Sequence, residues 1–369
     1  MFGMRGIKTL TILATLMAGS LILTPEAPAQ TEEGQVRAQG KVINRGKGDE
    51  GPQRRLLKGP KDPREAMRSL VQNISKFTRR YNRNFLVVAQ NPLGLVVKTD
   101  LDDPTAQLPA RTFNQAIDGI LQEGVWYGVP EIGKPVTKAR NTKALELLNL
   151  AKQSALPVFV VDYVGTAKQA YEVLDKANKK GFVAAPAFAR GQALNSLPKV
   201  PRRPYRENAK SVIGLKDVRN FFMLPDSTAF GRQDEFALKV HETNYDAVIV
   251  DVQHGRSPLS KRAVETLKYK KSGAKRLVLA SMNVGVTGSY RYYWKDGWGE
   301  GSPAWVDSPY PGQPDSYYAQ YWNPEWQQIL TGNTNSYVYG IIAQGFDGVV
   351  LEGLDVYHFF EGDIEADPL

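Results

Sequence analysis

Short apolar runs recur along this chain, and most are separated by stretches with helical spacing. Asp62-Pro63 reads as a helix start, an N-cap followed by proline at the first helical position. Met67, Leu70, Val71, Ile74, Phe77 and Tyr81 then mark one buried helical face. The runs themselves are Phe85–Ala89, Asp118–Leu121, Pro157–Val161, Phe182–Phe188, Phe221–Leu224, Ala247–Val250, Leu277–Ala280 and Val349–Leu351. Between them lie helical segments Thr142–Gln153, Thr166–Lys180 and Pro258–Lys271. Continuous apolar strands alternating with helices predict a parallel sheet covered by helices on its outer face. Eight such strands predict an α/β protein of the (β/α)8 TIM-barrel class, residues 62–369 forming one domain. The competing fold, an open doubly wound sheet, lacks its signature. No glycine-rich phosphate loop follows a strand, and Gly297, Gly299 and Gly301 sit in an aromatic loop.

Polar residues close these runs: Asn91, Glu123, Asp162, Asp226, Asp251, Asn283 and Glu352. Any one of them alone reads as a cap or a turn former. In a barrel, strand ends converge on one rim, so several carboxylates there predict an active or binding site. Residues 289–329 interrupt the repeat with a long insertion that carries five of the six tryptophans, Trp294 and Trp322 among them. Flat rings with polar tips suit sugar faces, and Arg291 can bind hydroxyls; about half of these rings are expected to form the insertion's own core. The strand 349–352 and the strand 85–89 are expected to lie side by side, because the repeat starts on a helix and finishes just after a strand.

Composition narrows the chemistry. The 369 residues include no cysteine, which excludes thiol catalysis, a disulfide scaffold and a lipoprotein anchor. Three scattered histidines make no zinc triad, and His254 is read as an incidental loop residue; no G-x-S-x-G elbow or Walker motif is present, and no cofactor or metal is expected. Residues 1–29 read as a secretory signal peptide: Arg5 and Lys8, an apolar core, then Ala27-Pro28-Ala29. Export to the periplasm or exterior is therefore expected, with no transmembrane segment and no nucleic-acid partner. Residues 30–61, rich in Gly, Gln and charge, read as a disordered linker. The net charge of +9 favours a neutral or anionic glycan over a cationic one.

Carboxylates and aromatics on a barrel rim predict glycoside hydrolysis. The stretches Ser289-Tyr-Arg-Tyr-Tyr-Trp294, Tyr321-Trp-Asn-Pro-Glu-Trp326, Gly345-Phe-Asp-Gly348, Tyr245–Asp251 and Val160–Val164 resemble those of the endo-α-1,4-polygalactosaminidase-like glycoside hydrolases. The resemblance spans nearly all of residues 62–362. It implies a (β/α)8 barrel acting on an exopolysaccharide, here circularly permuted, since Val-Val-Asp-Tyr-Val sits near the middle of this chain instead of near its end. The family's Gly-Glu-Ala-Glu is replaced by Gly285-Val286-Thr287-Gly288, and Glu352 stands where the family has Asp. The expected catalytic residues are Asp251 and Glu352, with Glu123 as third candidate. Asn91, Tyr127, Asp162, Tyr163, Arg291, Trp294, Trp322 and Asp355 are expected to bind a polysaccharide substrate. The alternative expectation is a non-catalytic glycan-binding barrel that has lost the family's acids.

Overall fold

A computed structural model describes residues 59–100, 103 and 107–362. The expected signal peptide, and all but the last three residues of the expected linker, lie outside the described residues. Helix α1 (Pro63–Tyr81) starts as read, with Asp62 Oδ1 accepting from the Glu65 N–H at 2.8 Å. Eight parallel strands follow: β1 (Leu86–Gln90), β2 (Gly119–Glu123), β3 (Val158–Tyr163), β4 (Val183–Ala187), β5 (Phe221–Leu224), β6 (Ala247–Asp251), β7 (Leu277–Asn283) and β8 (Gly348–Glu352). Each lies on one of the eight apolar runs. The outer layer holds α2 (Arg111–Ala116), α3 (Lys138–Gln153), α4 (Ala167–Lys180), α5 (Gln233–His241), α6 (Lys261–Leu267), α7 (Pro324–Thr331), α8 (Tyr337–Gln344) and α9 (Tyr357–Glu361). Helix α3 starts a turn earlier than its apolar spacing suggested, because Thr137 caps it.

The sheet order is β4-β3-β2-β1-β8-β7-β6-β5, a (β/α)8 barrel in a single eight-stranded sheet. Strands β1 and β8 pair in parallel from Leu86 opposite Gly348 to Ala89 opposite Leu351, so the two ends of the repeat meet as expected. Arg64 of α1 reinforces the junction by pairing with Glu361 at 2.9 Å. The ring stays open at one place: no ladder joins β4 to β5 among the described residues. Pro186 within β4 has no N–H to offer, which suits an edge strand.

Alternation sorts the strands into two apolar layers. Val88, Leu121, Phe159, Val161, Ile249, Leu279 and Val350 fill the barrel, while Val87, Ile120, Val160, Val248, Val278 and Val349 meet the helices. Beyond β7, residues 286–288 pair with the insertion in a small antiparallel sheet with residues 316–319 and 306–309. Its core is aromatic. Trp326 is fully buried, stacks on Trp305 with centroids 4.7 Å apart, and donates its indole N–H to the Val284 carbonyl at 2.9 Å. Trp326→Ala is expected to cost about 3–5 kcal/mol, the range for deleting a large core ring; urea unfolding would show it as a lowered midpoint, and an unchanged midpoint would contradict this packing.

Candidate functional site

Strand parity decides which rim residues enter the barrel. Leu121 and Val350 point inward, so Glu123 and Glu352, two residues on, do as well. Asp251 follows from Ile249 in the same way. Strand β7 separates Asp251 from Glu352, and β1 separates Glu352 from Glu123. With strands about 4.8 Å apart, the two outer carboxylates stem from backbones about 10 Å to either side of Glu352. Glu352 is therefore the middle member of a three-carboxylate arc.

Each member is held differently. The Ser281 hydroxyl of β7 donates a short hydrogen bond to Glu352 Oε1. Burial pushes the Glu352 carboxyl up to about 7; the Ser281 bond opposes this, and the charges of Glu123 and Asp251 add to it. Asp251 is paired with Arg291 at 3.0 Å and accepts from the Gln253 N–H at 2.9 Å. Glu123 accepts from the Asn91 side chain at 3.0 Å and from the Tyr163 hydroxyl, while its own N–H donates to Asn91 Oδ1 at 3.0 Å. Asn91 adopts φ +49°, a left-handed conformation that asparagine tolerates and that turns its amide toward Glu123. Asp355, on the turn after β8, is raised to about 6 by burial and by the Glu123 charge.

The insertion reaches this mouth through Arg291 and Tyr310. Burial and the charges of Asp355, Glu123 and Glu352 raise the Tyr310 hydroxyl to about 12, which places that ring among the carboxylates. Arg291 lies between the Tyr290 and Tyr337 rings, at 5.0 and 5.9 Å from their centroids. Arg190 covers the Tyr163 ring at 4.3 Å. Tyr163, Tyr290, Tyr310 and Tyr337 thus lie around the acids and Arg291.

Four expected contacts lie elsewhere. Asp162 has the opposite parity to Tyr163 and is completely buried outside the barrel, where it accepts from the N–H groups of Val125, Trp126 and Tyr127 at 2.7, 2.9 and 3.2 Å. It orders the loop after β2. Tyr127 turns away to donate to Glu172 of α4 at 2.7 Å. Trp294, half-buried, packs on Trp298 and Tyr317, and Trp322, also half-buried, on Tyr321 and Phe360, both against the aromatic core. His254 bridges Ser227 and the Gly231 carbonyl, so its role is structural.

Two residues that the strand-end reading passed over belong to the mouth. Gln90 lies one position before Asn91 and two after inward-facing Val88, and Ser281 lies two after inward-facing Leu279, so parity turns both into the barrel. Gln90 is buried with its amide oxygen unpaired. Four carboxylates against Arg291 and Arg190 make the mouth acidic, contrary to the sign of the whole-chain charge. Among the described residues, no three His, Asp or Glu side chains are arranged to hold a metal ion. No described helix is long and apolar enough to cross a membrane.

No family model matches the chain. Among curated proteins it is similar to an uncharacterized protein of Thermotoga maritima, 26% identical over 146 residues, covering 40% of this chain and 44% of that protein. A Deinococcus radiodurans protein is 39% identical over 82 residues, 22% of this chain and 25% of its own. A Methanocaldococcus jannaschii protein is 29% identical over 123 residues, 33% and 34%. Both are likewise uncharacterized. The matched region spans less than half of each relative.

Proposed function

We propose that this barrel is an exported glycoside hydrolase that cleaves a polysaccharide with two carboxylates, as a permuted relative of the polygalactosaminidase-like enzymes. The observation that carries the reading is the arc itself: one carboxyl held up to about 7 between two others, on strands two apart in the barrel. A glycosidase needs a carboxyl that keeps its proton and a second that has lost it. Glu352 would be the acid that protonates the leaving oxygen. Asp251, ion-paired with Arg291, would be the nucleophile or base, and Glu123 supports the positive charge that develops on the sugar. Gln90, Tyr310 and Asp355 would bind hydroxyls. The acid-lined mouth favours a neutral or amine-bearing glycan over the anionic one that the net charge suggested.

A binding-only reading draws on one specific observation. Val286 is buried within the small sheet, and a side chain at Gly288 would start 2.2 Å from the Tyr290 ring, which would have to move, so the two positions that carry acids in the family are built here for packing. A panel of neutral, amino and uronic polysaccharides, assayed in parallel for binding and for new reducing ends, separates the two. Cleavage of a neutral or amino glycan supports hydrolysis; saturable binding with no cleavage leaves a glycan receptor; neither on any glycan removes both.

A further inference from the structure

The βα repeat is broken once, and the break holds a cavity. Between β4 and β5 no α-helix forms; residues 188–220 contain only the short 3-10 turns Gly191–Ala193 and Leu215–Asp217. A cavity of about 470 Å³ opens along this unpaired seam. Val161 and Phe221 reach it from inside the barrel and Phe222 from the outer layer, while Leu197 and Pro198 of the connecting strap close it. Lys199 stands at its edge. Lys199 and the nearby Arg202 are both exposed and in no ion pair among the described residues, whereas Arg203 is engaged with Glu207 at 2.7 Å.

The volume falls in the range of small-molecule sites, about 300–1,000 Å³. An apolar cavity of about 150 Å³ admits one benzene, so this one suits a single extended alkyl chain and not the paired chains of a membrane lipid. Water in a cleft lined mostly by apolar side chains finds few polar partners. An alkyl chain displaces that water, and an unpaired cation at the edge calls for an anionic head.

We propose that the β4–β5 seam binds a free single-chain amphiphile with an anionic head, a fatty acid in its chemistry, with its chain in the cavity and its carboxylate on Lys199. None of the residues of the carboxylate mouth lines this cavity, so the inference does not rest on what the barrel hydrolyses.

Titration calorimetry of the full chain against dodecanoate, dodecanol, dodecyltrimethylammonium and phosphatidylglycerol vesicles tests it. One saturable site for dodecanoate is expected, about tenfold tighter than for dodecanol, the size of one charge-assisted contact. Lys199→Glu should abolish that advantage and leave dodecanol binding unchanged. Ala193→Trp, on an exposed turn that lines the cavity, should weaken both, with circular dichroism showing both variants folded. The proposal is overturned by no dodecanoate binding, by ammonium binding as tightly, by an unaffected Lys199→Glu variant, or by binding to vesicles alone. Concentration-dependent self-association that blocks the seam would assign it to a second copy instead.

Discussion

Glu352→Gln is expected to lower turnover by about 10²–10⁴-fold, the usual contribution of a general acid, and to make the protein more stable above neutral pH. Both effects have one origin. The amide keeps the shape and still accepts from Ser281, but it has no proton to give. The stability effect follows from linkage. The folded carboxyl sits at about 7 against 4.5 for the free group, so between those values the folded state holds a proton the unfolded state has lost. Folding stability is therefore full below about 4.5 and falls as pH rises toward 7. Removing the group should flatten that slope and recover about 3 kcal/mol at pH 8. Urea denaturation of wild type and variant at pH 5 and pH 8 would read it. Equal slopes, or a variant less stable at pH 8, would mean that burial does not hold this carboxyl up.

A stability loss as large as that of Trp326→Ala is expected at the opposite end of the barrel. Lys270 and Asp246 are both completely buried and lie 2.5 Å apart. Asp246 also accepts from the Arg219 N–H at 2.8 Å and from Asn208, while Lys270 donates to the carbonyls of Lys210 and Asn208. This network ties the start of β6 to the segment that leads into β5. Lys270→Met should cost about 3–5 kcal/mol, because it strands a buried carboxylate without its counter-charge. Adding Asp246→Asn should return about 1–2 kcal/mol, since asparagine is neutral and still accepts from Arg219. A double variant no more stable than the single one would place the loss in packing, not in the stranded charge.

The reach of the sequence can be traced residue by residue. The eight strands were legible because a doubly buried strand is a run of apolar residues and needs no partner to be recognised. The β1–β8 pairing followed from a repeat that begins on a helix and ends after a strand. Glu123, Asp251 and Glu352 were legible because they end such runs. Asp162 was misread although the information was present: Phe159, Val161 and Tyr163 face inward, so the residue between them cannot. The same parity would have chosen Gln90 and Ser281. Tyr127, Trp294 and Trp322 were not decidable that way. They sit in loops without period, and their partners, Glu172 for Tyr127 and Phe360 for Trp322, lie far along the chain. The small sheet escaped for a similar reason, its strands being only three or four residues long, too short to show a period.

The carboxylate arc is tested most directly by the pH dependence of kcat/KM for release of reducing ends from the best glycan of the panel. The account predicts a limb that falls as pH rises through about 7, where Glu352 loses its proton, and its disappearance along with nearly all activity in Glu352→Gln. A rate that stays flat or climbs between pH 6 and 8 in the wild type, or a Glu352→Gln variant with undiminished turnover, would contradict it.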